Sequence, residues 1–170
     1  MKKSETPLFK GYFQSPIGRL SVFSDGYYIT SILFPENKPS ETPDNPDRII
    51  IDCITQLNEF FQGQRKIFDL PLKPYGTQFQ KRVWDKVYEI PFGETASYGD
   101  VANILGDSKL SRAVGLANGA NPIPIIIPCH RVIGRNGSLT GYAGGLELKK
   151  WLLNHEQQNY TLIKGQLKLF

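Results

Sequence analysis

The stretch SYGDVANILGDSKLSRAVGLAN, residues 97–118, decides how the second half of this 170-residue chain folds. Ser97 is a favoured N-cap, and Val101, Ile104 and Leu105 follow at helical spacing, which predicts a short helix ending at Gly106. Asp107 and Ser108 open a second helix through KLSRAVGLAN. Two short helices joined by a tight, glycine-containing turn have the shape of a helix-turn-helix. The second helix carries Lys109 and Arg112 in its first turns, where groove-binding helices meet DNA. Ala113, Gly115 and Ala117 follow, small enough to let the helix approach a surface closely. A helical hairpin packed only for stability fits this segment equally well.

Working outward, Thr77 and Gln80 form a capping box for a preceding helix that turns Phe79, Val83 and Val87 inward and stops at PFGE. After the helix-turn-helix comes IPIIIP, residues 123–128, expected to run extended because each proline restricts the residue before it. Asn136-Gly137 then reads as a hairpin turn. A last amphipathic helix, Leu146 to Gln157, carries Leu148, Trp151, Leu152 and His155. Toward the N-terminus, LFKGYFQ, GRLSVFSD and YYITSILF predict three antiparallel strands. The proline-rich PENKPSETPDNPD should be a loop. Residues Asp47 to Gln62 read as a helix with Ile51, Ile54, Leu57 and Phe61 on one face. Cys53 in that helix reads as a small buried hydrophobe. The boundary is placed near Pro74, giving an α/β domain over 1–74 and a mainly helical one over 75–170, an α+β chain.

Composition bounds the function. Hydrophobic residues make up 40% and charged residues 21%, an ordinary globular balance. No apolar run is long enough to cross a bilayer, and MKKSETPLFK lacks the core of a signal peptide. Two cysteines and two histidines without a CxxC pair speak against a disulfide framework or structural zinc, so the expectation is a reduced, cytoplasmic protein without metal or cofactor. Residues 1–76 hold nine Lys/Arg and nine Asp/Glu, while residues 77–170 hold eleven and seven and so supply the whole net charge of +4. That asymmetry points to a polyanionic partner of the second half.

Within that half, Cys129 follows a proline-punctuated apolar run and precedes His130 and Arg131. A free thiol needs a neighbouring base or positive charge to ionise at neutral pH. His130 and Arg131 are candidates for both roles. Successive side chains of an extended chain point to opposite faces, however, so either the backbone bends here or a water relays the proton. A catalytic histidine also needs a group to orient it, and Glu147 and Glu156 are the candidates by position. A packed core thiol remains the competing reading.

NPIPIIIPCHRVIG resembles the active-site signature of the O6-alkylguanine-DNA alkyltransferases. FGETASYGDVA, SRAVGLANGANP, GSLTGYAGG and KKWLLNHE follow the family's pattern in order, covering residues 77–157 closely, and SPIGRLSVFSDG does so more loosely. The resemblance implies an RNase H-like N-terminal domain and a winged-helix-like domain with the helix-turn-helix. It implies direct-reversal repair: the damaged base is flipped out of duplex DNA, and its alkyl group passes irreversibly to the protein in a single turnover. The substrate would be O6-alkylguanine, with O4-alkylthymine as a second lesion, read from the minor groove by a monomer. Cooperation between molecules on DNA is left open.

By the same resemblance, Cys129 is the acceptor, His130 its base through a water, and Glu156 the acid that orients His130. Arg112 fills the space left by the flipped nucleotide, and Tyr98 assists rotation. Ser97, Lys109, Ala113 and Gly115 accompany them on the DNA-binding surface. Asn121 links the helix-turn-helix to the active-site segment. Val132 offers its carbonyl to the base pocket, which Tyr142, Ala143, Gly144 and Lys149 line. Ala143 stands where some relatives have serine, so a contact there would come from backbone. The alternatives are a cysteine hydrolase using Cys129, His130 and Glu156, and a helix-turn-helix regulator without chemistry.

Overall fold

Alternation of aromatic and β-branched residues with polar ones builds the first sheet. The computed structural model describes residues 9–35 and 44–167, with side chains through residue 161. Strands β1 (Phe9–Ser15), β2 (Gly18–Ser24) and β3 (Ile29–Leu33) pair antiparallel in the order β1-β2-β3, and a register shift falls at Phe23/Ser24. Most of the proline-rich loop, residues 36–43, lies outside the described residues. Helix α1 (Arg48–Phe61) begins at Asp47, whose side chain accepts the Ile50 amide. Its buried face is Ile50, Cys53, Leu57, Phe60 and Phe61; Leu57 and Phe61 are as expected, while Ile54 is half-buried and Ile51 exposed. The cause is the close approach at Gly11: a Cβ there would lie 2.5 Å from Ile50, so Ile50 occupies the space a side chain would fill.

The chain divides by contacts into the units Met1–Tyr75 and Gly76–Phe170. In the second unit, α2 (Gln78–Tyr88) starts with the Thr77/Gln80 capping box. Its buried residues are Val83, Trp84 and Val87, while Phe79 is half-buried. Trp84 Nε1 donates to the Ala117 carbonyl at 2.8 Å, tying α2 to α4 (Ser111–Gly119). Helix α3 (Tyr98–Ile104) is capped by Ser97 and buries Val101 and Ala102, leaving Ile104 exposed. Gly106 turns the chain with φ +101°, a conformation costly for residues with a Cβ.

The second helix of the pair begins later than expected. Asp107 Oδ1 accepts the Lys109 amide at 2.9 Å and winds Ser108–Leu110 into a separate 3-10 turn, so α4 starts at Ser111. Lys109 therefore sits in the turn, and Arg112 at the second position of the helix.

The segment before Cys129 is not an extended strand. Ile127 N–H donates to the Ile123 carbonyl at 2.9 Å, and Ile125, fully buried, has φ +75°. Prolines restrict Asn121, Ile123 and Ile127, the residues preceding them; Ile125 precedes no proline, and there the chain reverses. Cys129–Arg131 then form a 3-10 turn. Strand β5 (Val132–Ile133) pairs parallel with β4 (Ala96–Ser97). Gly137 makes the expected turn, with its amide on the Gly134 carbonyl, but no strand pair flanks it among the described residues. Helix α5 runs from Leu146 to Leu167, well past Gln157. Its buried residues are Lys149, Leu152 and Glu156; the expected Leu148, Trp151 and His155 are half-buried.

Candidate functional site

Three groups of side chains meet around the 3-10 turn at Cys129–Arg131. The first holds the thiol. Cys129 is 4% exposed, and the neighbouring Asn121 and Tyr142 side chains act on its thiol. Asn121 braces the turn as well: its Nδ2 donates to the Ile127 carbonyl at 2.8 Å and its Oδ1 accepts the Ile123 amide at 3.0 Å. Asn118, buried on α4, donates to the Cys129 carbonyl at 3.1 Å. Burial pushes the thiol pKa up despite favourable contributions from Asn121, the Lys149 charge and Tyr142. At rest Cys129 is therefore a protonated thiol. Burial likewise pushes the Tyr142 hydroxyl up, with Cys129 adding to the effect.

The second group is a buried charge centre. His130 Nε2 lies 2.6 Å from Glu156 Oε1. Arg131 donates from Nε and Nη2 to Glu156 at 2.9 Å each, and from Nη1 to the Ile90 carbonyl at 2.6 Å. The Gly93 amide donates to Glu156 Oε2 at 3.0 Å. Gly93 has φ +79°, and a Cβ there would lie 2.6 Å from the Tyr160 ring, which packs directly on it. Burial alone would raise the Glu156 carboxyl, but the hydrogen bonds from His130 and Arg131 and the Arg131 charge hold it at about 2. Burial lowers His130, against the raising effect of Glu156. The imidazole is thus neutral beside a carboxylate that can only accept. Its single N–H must sit on Nε2, leaving a lone pair on Nδ1. That Nδ1 is buried and has no protein hydrogen-bond partner.

The third group surrounds Lys149, which is fully buried. Its Nζ donates to the carbonyls of Val132 at 2.6 Å and Thr140 at 3.0 Å, and lies 3.4 Å from the Tyr98 hydroxyl. Tyr98 donates to the Thr140 carbonyl at 3.0 Å, and its ring faces Gly115 of α4, where a Cβ would approach to 3.7 Å. Lys149 is the cation acting on the Cys129 thiol. The Arg131 guanidinium is committed to Glu156.

Of the residues singled out from sequence, these groups bring together Cys129, His130, Glu156, Asn121, Tyr98, Val132, Tyr142 and Lys149. Glu147 is exposed in the first turn of α5, away from this arrangement. Arg112 and Lys109 are exposed, and Ala113 and Gly115 half-buried beside them. Ser97 spends its hydroxyl on the Asp100 amide at 3.0 Å, so its side chain is a helix cap. Ala143 and Gly144 lie in the turn before α5. The sequence offers Arg131 as a base or positive charge for the thiol, whereas its guanidinium binds Glu156; it gives no role to Asn118, Thr140 or Gly93. Arg131 was signalled by adjacency to His130 and Gly93 by PFGE, which reads only as a helix stop; nothing signalled Asn118. Among the described residues no group of three His, Cys, Asp or Glu is arranged to hold a metal ion, and no helix is long and apolar enough to cross a membrane.

Comparison with known proteins agrees over both units. Residues 8–74 match the profile of the 6-O-methylguanine DNA methyltransferase ribonuclease-like domain, and residues 78–158 that of its DNA binding domain. A methylated-DNA–protein-cysteine methyltransferase of Methanosarcina acetivorans is 46% identical over 153 residues, 88% of this chain and 98% of that protein. One of Haemophilus influenzae is 42% identical, covering 91% of this chain and 89% of that protein. The crystal structure of Mycobacterium tuberculosis OGT in complex with DNA superposes with a TM-score of 0.81 at 44% identity, covering 89% of this chain and 94% of that chain. The chain belongs to the 6-O-methylguanine DNA methyltransferase family.

Proposed function

We propose that this protein repairs O6-alkylguanine in duplex DNA by moving the alkyl group onto Cys129. The sulfur forms a bond to the alkyl carbon as the carbon–O6 bond breaks with its electron pair going to the base; the thiol gives one proton toward His130, the base takes up one proton, and neutral guanine is released. The product is a thioether, a poor leaving group, so each molecule acts once and draws on no cofactor. The observation that carries the reading is the 2.6 Å contact of His130 Nε2 with Glu156. A neutral imidazole that donates from Nε2 to Glu156 keeps a lone pair on the buried Nδ1, which on this reading takes the thiol proton through one water. Once the proton has left, Lys149, Asn121 and Tyr142 stabilise the thiolate.

On this reading the α3–α4 pair enters the minor groove, Arg112 replaces the rotated nucleotide, and Tyr98 meets the flipped base above Lys149 and Thr140. The Val132 carbonyl keeps a second lone pair for the base while accepting from Lys149. The test is mass spectrometry of the protein after incubation with duplex DNA containing O6-methylguanine. The expected result is one methyl group per molecule, on Cys129, with activity ending at stoichiometric conversion. Cys129→Ala should bind DNA and transfer nothing. Unmodified protein, or repeated turnover of a thiol-reactive ester, would refute the assignment and favour hydrolysis.

A further inference from the structure

The outward face of α4 carries one residue that a DNA-facing helix of small residues does not need. Around this helix Val114, Ala117 and Asn118 are buried and Ala113 and Gly115 half-buried. Arg112, Leu116 and Gly119 are exposed and, at spacings of four and three, share a single stripe. Leu116 is 73% exposed, the largest apolar side chain on that stripe and one turn from Arg112. A single exposed leucine is unremarkable by itself. This one stands where the other outward positions hold arginine and glycine and the flanks hold serine, alanine and glycine, on a helix without a carboxylate.

We propose that Leu116 is an apolar contact to duplex DNA, packing against sugar and base edges in the groove that receives Arg112. This rests on the reading of α4 as the DNA-facing helix. Minor-groove proteins commonly set leucine or similar side chains against base steps beside their arginines. Arg112 then supplies the charged, salt-sensitive part of the contact, and Leu116 a part that salt does not screen. The glycines and alanines around it let the helix come close enough for a four-carbon side chain to be buried.

The experiment measures binding to an undamaged duplex across a range of salt concentrations, and single-turnover methyl transfer from an O6-methylguanine duplex. Leu116→Ala should weaken binding roughly five- to tenfold, as expected for a partly buried leucine, and slow transfer at limiting DNA, with an unchanged salt slope. Leu116→Met should stay within about twofold of the native protein, since it keeps the apolar volume. Arg112→Ala should lower the salt slope by about one if it meets a phosphate, or slow repair more than binding if it fills the flipped-base gap. Because Leu116 is exposed, its variants should melt like the native protein, which separates contact loss from unfolding. If Leu116→Ala binds and repairs like the native protein while Arg112→Ala is impaired, the leucine contact is refuted. A Leu116→Ala change in salt slope also refutes it. If neither variant has an effect, α4 is not the DNA-facing helix, and the underlying reading fails.

Discussion

Replacing Glu156 by glutamine keeps the shape of the buried centre and removes its charge. In the native protein the carboxyl is held at about 2 rather than 4.5: burial opposes ionisation, and the His130 and Arg131 contacts overcome it. At roughly 1.4 kcal/mol for each pKa unit, ionised Glu156 favours the folded state by about 3 kcal/mol. Glu156→Gln also leaves the Arg131 guanidinium, 5% exposed, as a buried cation facing an amide, a loss that ordinarily costs about 3–5 kcal/mol. The variant should therefore be about 3 kcal/mol or more less stable at neutral pH. A carboxyl with a depressed folded pKa contributes its full stability above its unfolded value and loses it as pH falls toward the folded one. Urea unfolding of both proteins should thus show a gap that holds or widens down to about pH 4.5, because His130 in the variant lacks the carboxylate that favours its protonation, and that narrows toward pH 2 as the native carboxyl takes up its proton. Methyl transfer should slow by roughly 100-fold or more, the ordinary scale for a positioned base, because Nε2 is no longer obliged to carry the proton. A neutral-pH gap below about 1 kcal/mol, or one that does not close in acid, would refute the account of Glu156 as an ionised anchor.

Lys149→Met should take the lysine donor from the buried Val132 carbonyl and leave the Thr140 carbonyl to Tyr98 alone, costing roughly 1–3 kcal/mol. Amide exchange across residues 140–145 should then accelerate, and unaltered exchange would show that the lysine does not hold this loop. Ile125→Gly and Ile125→Ala both open a cavity, but glycine relieves the φ of +75°, so the glycine variant should be the more stable by about 1 kcal/mol in chemical unfolding, against the usual order. Cys53, fully buried and pushed by burial to about 12, should resist iodoacetamide in the native protein. Cys53→Ala should still accept one methyl on Cys129, and mass spectrometry of either sample decides the point.

The elements of this chain were legible where local chemistry dictates them. Thr77 and Ser97 each cap the helix their sequence context announces, because an N-cap bond is made within a few residues of the chain. The strands followed from their alternation. Helix faces were read less well. Ile51 looks like a core residue, but Gly11 on β1 makes room for Ile50, with Ile54 beside it, a long-range contact that periodicity does not encode. The IPIIIP segment failed for the opposite reason. Its prolines restrict their neighbours as expected, yet one unrestricted residue, Ile125, was enough to reverse the chain, and the fully buried surroundings hold it there against its own backbone preference.

The buried charges of α5 show why the site was harder to read than the fold. Periodicity scores lysine and glutamate as solvent-facing and gives the inward stripe as Leu148, Trp151, Leu152 and His155, of which Leu152 is buried. Lys149, Leu152 and Glu156 lie three and four residues apart and form the face that is buried. Two turns of helix thus deliver opposite charges to either side of Cys129–Val132. Glu156 accepts the His130 Nε2 proton and so keeps Nδ1 basic, while Lys149 favours the thiolate. A carboxylate at 149 would oppose ionisation of Cys129, and an ammonium at 156 would confront Arg131 and leave Nε2 with no acceptor. The apolar residue between them fixes the helix rotation that keeps each charge on its own side, which is why an amphipathic pattern alone, without the partners on the facing turn, pointed to the wrong stripe.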